Sequence, residues 1–368
     1  MKIRINAIIT TNSPLHIASA GSGRYDPATQ SFCYQGGFPC TRVQEMKIAS
    51  DGETDDNGNY VAKINRVPLI AANNLAGRLR RHAAKLFLAA LRGKGQTVNI
   101  NTYSALMCGA VTGAPDKREM TYEEFNTFSA HPYVGLFGGG PRMLPRNVRI
   151  HDAVPITHAT SVLAGNTGHP HAEGYAQDGI SMTNVLMFRR NDDIKELIDV
   201  DTQSSSITDY EEAFNARQSV IIAEKASKKA GETSEGAKSS TETFSAMEIV
   251  VPNINFSSVF ELDVDNLAQV GLFLASLDSF AQTERLGGQS RNGFGRFTLN
   301  DVIITTEEGE QIDSIFNNGD MNKENDLVKT CLDAWYKAAE QVDSTEIDDI
   351  YFVPEKKKPA AKKKASKE

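Results

Sequence analysis

No stretch of this chain approaches the roughly eighteen consecutive apolar residues of a membrane-spanning helix, so an integral membrane role is set aside. Cysteine is scarce. The four present, Cys33, Cys40, Cys108 and Cys331, have neither zinc-site nor disulfide-framework spacing and read as ordinary thiols of a reducing compartment. A signal peptide is missing too. The opening MKIRINAIITTNSPLHI alternates apolar and polar residues from Ile3 onward, which predicts a first strand and a cytoplasmic protein. The catalytic signatures G-x-S-x-G and H-E-x-x-H are absent. Five of the seven histidines (His131, His151, His158, His169 and His171) lie close together in sequence, near Asp152, but without metal-ligand spacing. The sequence therefore calls for no cofactor, no metal and no catalytic residue.

What is present is segregated charge. The net charge is −8, yet residues 61–150 hold 13 bases against four acids, whereas residues 301–350 hold fourteen acids against three lysines. A phosphate backbone responds to a local basic face, so the average does not argue against nucleic acid. Uneven but functionless charge is the alternative.

The coarse order is strand, helix, strands, insertion, strands, helix, strand, which suits an α+β fold of the ferredoxin-like or RRM-like kind. Residues 20–60, rich in Gly, Asp and Asn, read as a long irregular segment. In RVPLIAANNLAGRLRRHAAKLFLAALRGKG, an apolar stripe runs through Leu75, Leu79, Ala83, Leu86 and Ala90, with Asn73 or Asn74 as the cap and Gly93 and Gly95 as the stop. Arg78, Arg80 and Arg81 stand in its first turns, where free N–H groups already favour anions. A Gly- and Pro-rich turn with Arg142 and Arg146 precedes a strand with Arg149. Residues 165–247 read as an inserted segment with a polar, low-complexity stretch, residues 309–350 as an acidic, partly helical appendage, and the end as a lysine-rich tail.

Residues 286–297, LGGQSRNGFGRF, place four glycines and two arginines between a helix and a strand. The segment lacks the Gly-Lys-Ser/Thr of a Walker loop and the spacing of a dinucleotide-binding turn. It loosely echoes an RNA-recognition signature, but Phe294 reads as packing rather than base stacking. A loop whose N–H groups, with Arg291 and Arg296, follow a sugar-phosphate backbone is one reading, and a tight turn with solvated arginines is the other.

Five ordered segments resemble the RAMP superfamily. VPLIAANNLAGRLRR is similar to its P-x-I-P-G-S-S-L-K-G-x-L-R helix signature, and SPLHIAS closes the preceding strand. LFGGGPRMLPRNVRIHDAVP resembles its L-F-G followed by an R-x-R-V/F-x-D-A strand, MEIVVPNINFSSVFELDV its E-x-V-P-x-G-x-x-F segment, and LGGQSRNGFGRF its terminal glycine loop. Within that superfamily the chain resembles the repeating backbone subunit of class 1 CRISPR effector complexes.

The resemblance implies an RRM-like palm over 1–308, an inserted thumb within 165–247, and an extension over 309–368. It implies a non-catalytic subunit that polymerises along the guide CRISPR RNA. Its partners would be other copies of itself, other effector-complex subunits and, through the guide, target DNA or RNA; a membrane is not among them. The expected RNA contacts are Asn73, Asn74, Arg78, Arg80, Arg81, Arg142, Arg146, Arg149, Gly287, Gly288, Arg291, Gly293, Gly295 and Arg296. The expected thumb wedge is Met182, Val185, Leu186, Met187 and Phe188. Ala72-Asn73-Asn74 replaces the family's Gly-Ser-Ser, and Ala76 stands at its lysine. The loop that carries a cleaving aspartate in type III relatives aligns with GGFPCTRVQEM, which has none. That favours the type IV version. The alternative is a metal-dependent type III-like endoribonuclease using Asp26 or Asp51; a guide-processing nuclease would have only His16 as an early general base.

Overall fold

The computed structural model describes residues 1–110, 120–140, 142–160, 169–191, 204–206, 208–212, 215–216, 219 and 242–351. The early strands are β1 (Lys2–Thr11), β2 (Ala18–Asp26), β3 (Ser31–Cys33), β4 (Phe38–Val43), β5 (Glu45–Thr54) and β6 (Tyr60–Pro68). Four helices follow, α1 (Ala72–Gly93), α2 (Ile100–Cys108), α3 (Tyr122–Ala130) and α4 (Val134–Phe137). Then come β7 (Val148–Ile150), β8 (Val154–Pro155), β9 (Thr183–Asn191), β10 (Glu242–Val250) and β11 (Asn255–Asp263). The chain continues through α5 (Leu267–Thr283), β12 (Phe297–Thr305), β13 (Gln311–Ile312), α6 (Asp326–Gln341) and α7 (Ser344–Tyr351). Among the described residues no helix is long and apolar enough to cross a membrane.

The described residues of Met1–Ala18, Val43–Thr183 and Val250–Glu368 form one compact unit, and those of Ser19–Arg42 and Asn184–Ile249 form another. The first unit is built on β1-α1-β7-β11-α5-β12, with strand order β12-β1-β11-β7 and antiparallel neighbours throughout. This is the ferredoxin-like arrangement, and the fold is α+β as the element order predicts. Alternation along β1 turns Ile3, Ile5, Ala7 and Ile9 into the main core against α1 and α5, while Ile8 faces the other way and packs on Ile156 and Ala172. In the second unit β4 lies between β2 and β10, β10 pairs parallel with β4 through Ala246↔Cys40, and β9 lies beyond β10.

The expected irregular segment at 20–60 is instead largely strand, from β2 through β5. It is hard to read because β2, ASAGSGRYD, has no apolar alternation; its order comes from backbone pairing such as Arg24↔Cys33 and Tyr25↔Phe32. The two-stranded ribbon of β5 and β6 likewise rests on its register, Met46↔Val67 and Ile48↔Asn65.

The acidic stretch after 309 is not an appendage. The apolar side of α6, Val328, Cys331, Leu332 and Trp335, is buried in the first unit's core, as are Ile347, Ile350 and Tyr351 of α7. Its acids mostly face water. Most of the expected thumb insertion and the lysine tail at 352–368 lie outside the described residues.

α5 and α6 lie close together at Gly271, where a Cβ would overlap the Cys331 carbonyl oxygen. Gly271→Ala should therefore destabilise the fold by roughly 2–3 kcal/mol, seen as a lower urea midpoint at unchanged slope.

Candidate nucleic-acid interface

The start of α1 is capped from outside its own sequence. Neither Asn73 nor Asn74 is the cap. The N-cap position is Ala71, and the Ala72 N–H donates to Asp152 Oδ1 at 2.6 Å. A carboxylate thus already occupies the anion-favouring end of the helix. Asn73 is exposed, and Asn74 Oδ1 accepts from Arg78 Nε at 2.9 Å.

Arg78 is a strut between α1 and the glycine loop. Its guanidinium donates to Glu284 Oε1 (2.7 Å), the Arg285 carbonyl (2.5 Å) and the Gly287 carbonyl (2.8 Å). One turn on, buried His82 reaches Ser279 through Nδ1 (2.9 Å) and Glu284 Oε2 through Nε2 (3.2 Å). Burial alone would raise the Glu284 pKa. The His82 hydrogen bond, the Arg285 N–H and the Arg78 charge outweigh it and hold the carboxyl at about 2.

The loop's other side is laced to the turn after β1. The Gly288 N–H donates to the His16 carbonyl (2.8 Å), the Gly295 N–H to Pro14 (2.8 Å) and the Asn12 N–H to Arg296 (2.8 Å), while Ser13 Oγ accepts from the Arg296 N–H (2.8 Å). Gly287 and Gly295 have φ near +70° and +79°, and a Cβ on either would collide with the His16 or Leu286 carbonyl. Phe294 is buried, as its packing reading expects, and so is His16. Gly288, Arg291, Gly293 and Arg296 lie on the exposed side. No hydrogen bond or ion pair among the described residues engages the side chain of Arg81, Arg291 or Arg296.

The other expected contacts separate. Arg80 donates to the carbonyls of Phe137 and Gly138, and its guanidinium lies 5.6 Å from the Phe137 ring centre. Burial, and then the charge of Arg80, push the Arg146 pKa down, marking two neighbouring cations. Arg142 is withdrawn from any ligand: its side chain is 5% exposed, 3.6 Å from Glu124 and 5.3 Å from the Phe128 ring centre. Arg149 lies across from Glu261 in the β7–β11 register, and Glu261 lies across from Arg4 near the start of β1, whereas the glycine loop adjoins the end of β1, roughly 20 Å away along the strand. Of the expected wedge, Met182 packs against the first unit's core, while Val185, Leu186, Met187 and Phe188 run along β9 of the second.

The histidine-rich segment is a strap across the face of the sheet opposite α1 and α5. The Asn255 N–H donates to Gln177 Oε1 (2.9 Å), and its side-chain Nδ2 donates to the Tyr175 carbonyl (3.2 Å). His169, His171 and Asp301 come together, and their ligand atoms lie within 4.8 Å of one another. They do not suit a metal. His169 Nδ1 accepts from the His171 N–H (3.1 Å) and its Nε2 meets the Asp301 carbonyl, so both ring nitrogens are spent. Buried His131 is also structural: its Nδ1 accepts the N–H groups of Tyr133 and Val134, and burial lowers its pKa to about 4.

Sequence reading missed Asp152, His82, Glu284 and Arg285. The one local signal is Glu284 itself, an acid directly before a basic glycine loop.

A family model described as the RAMP superfamily matches residues 8–298. No curated protein matches the chain. Among solved structures, a chain of one described as "Type IV-B CRISPR Complex" is similar at TM-score 0.44 and 17% identity, over 88% of this chain and 99% of that one. A chain of "Cryo-EM structure of the Type III-B Cmr-beta bound to cognate target RNA" is similar at TM-score 0.34 and 12% identity, over 85% of this chain and 61% of that one.

The depressed pKa fixes a pH dependence. Because the folded value is about 2 against an ordinary 4.5, the Glu284 contribution is complete above pH 4.5 and is lost as pH falls toward 2. It amounts to about 3 kcal/mol. Urea titrations of wild type and Glu284→Gln should differ most near neutral pH and converge through that window.

Proposed function

The chain belongs to the RAMP superfamily, and we propose that within it this protein is a guide-RNA-binding backbone subunit of a class 1 CRISPR effector complex, most like the type IV version. Copies polymerise along the guide, hold its backbone through the palm, and leave its bases free to pair with target nucleic acid. The observation that carries this reading is the Arg78–Glu284 strut. It fixes a glycine loop beside α1, while no hydrogen bond or ion pair among the described residues engages the side chains of Arg81, Arg291 and Arg296. Charges held in place but not neutralised suit phosphates. Arg80 and Arg146 extend the basic surface, and Arg78 acts by positioning the loop. The described part of the thumb would contribute Val185, Leu186, Met187 and Phe188.

The reading is of a scaffold rather than a nuclease. The segment aligned with the type III cleaving loop, residues 36–46, contains no aspartate. Asp26 is spent on a turn, accepting the Ala28 N–H at 2.9 Å.

Two measurements test this. Replacing Arg81, Arg291 and Arg296 together with Ala should weaken RNA binding with little base preference and reduce the salt slope by about 2, at unchanged melting temperature; Arg78→Ala should lower the melting temperature as well. Retained affinity in the triple variant would show that RNA follows another path. Complementary RNA incubated with the assembled complex and a divalent metal should stay intact. Regularly spaced cuts that Asp26→Asn abolishes would replace the scaffold reading with the nuclease.

A further inference from the structure

Two apolar surfaces of the first unit are open, and the charges beside them are opposite in sign. One is a groove of about 350 Å³ between α1 and α2. Leu88, Val98, Tyr103 and Met107 line it, and Lys85 and Arg92, both exposed and seven residues apart on one side of α1, stand at its rim. No acid among the described residues lines the groove. On α2, Ile100 is 77% exposed and Tyr103 45%. Three and seven residues separate Ile100 from Tyr103 and Met107, so they continue the groove as one apolar strip.

The other surface is α3. A capping box between Thr121 and Glu124 holds its first turn, so it is a formed helix, yet it has no buried residue. Tyr122 is 78% exposed and Phe125, three residues on, 37% exposed. Glu123 stands between them in sequence, also exposed. Two aromatic side chains beside an acid on a rigid turn match, in chemistry and sign, an apolar slot with a basic rim. Aromatic anchors filling a pocket, with opposite charges meeting at its edge, is how compact protein interfaces gain affinity and register.

We propose that α3 of one copy docks in the α1–α2 groove of the next. The two surfaces differ, so the contact is heterologous: each copy that docks its α3 still offers its own groove to another, and repetition gives a row rather than a closed pair. The proposal rests on the polymerising reading above and names a contact by which neighbouring copies would recognise each other. The occupant is a second copy because both complementary surfaces are on this chain.

The test counts copies of full-length protein per guide-length RNA by mass photometry, with affinity for a short RNA that holds a single copy measured alongside. Wild type should give a ladder of several copies. Tyr122→Ala with Phe125→Ala should weaken addition of the second and later copies about tenfold, leaving single-copy affinity and melting temperature unchanged. Glu123→Lys should do the same, and adding Lys85→Glu with Arg92→Glu to Glu123→Lys should restore the ladder, because the charges are exchanged across the contact. A wild-type ladder that the Tyr122 and Phe125 changes leave intact, or a charge swap that fails to restore it, would overturn this contact while the polymerising reading stands. Wild type that never exceeds one copy per RNA would overturn both.

Discussion

The Arg78–Glu284 ion pair is the constraint on which the basic surface depends. Glu284 lies just beyond α5, Arg78 is in the second turn of α1, and the glycine loop begins two residues after Glu284. One carboxylate therefore fixes the spacing of both helices and the point where the loop departs. Burying it would be costly if it stood alone, but it receives His82, Arg78 and a backbone N–H together. With Glu284 held ionised, the Arg78 charge is consumed inside the protein. The arginines that remain for a ligand are those that no acid reaches.

The sheet matters as much for what it withholds. In an RRM the face away from the helices is where bases stack. Here Ile156, Ala172 and Tyr175 cover Ile8 on that face, and Asn255 and Asp301 tie the strap down. Phe294, in the loop that echoes the RNA-recognition signature, is buried as well. The fold keeps the ferredoxin-like scaffold, and the reading proposed above puts the binding surface on a loop and a helix instead. That suits a protein that holds a backbone and leaves bases available to another strand.

Much of this was legible in the sequence, and the misses have physical causes. The βαββαβ order followed from periodicity, and the α1 stripe of Leu75, Leu79 and Ala83 is buried as read. Val328, Cys331, Leu332 and Trp335 also keep helical spacing, but the surrounding acids hid a core helix behind an apparent appendage. The cap on α1 was unreadable because Asp152 is 80 residues away, and the fate of Arg78 because Glu284 is 206 residues away. Arg142, read as a phosphate ligand, is withdrawn by Glu124 and Phe128, whose proximity only the fold supplies. Side chains acting within a few residues can be read locally; those whose partners arrive from elsewhere cannot.

The placement of β1 has a consequence for how the protein is made. It precedes the other described strands in the chain and sits at the middle of the sheet, yet its partners are β11 and β12, more than 240 residues later. At ordinary translation rates both edges of β1 wait roughly 10–50 s for those partners. The turn at Asn12–His16 waits equally long for the glycine loop. The nascent chain thus reaches the end of α1 while the glycine loop that Arg78 braces is still untranslated. The loop and the sheet are thus completed in the same late event, so a truncated product could not present the surface proposed above to hold RNA.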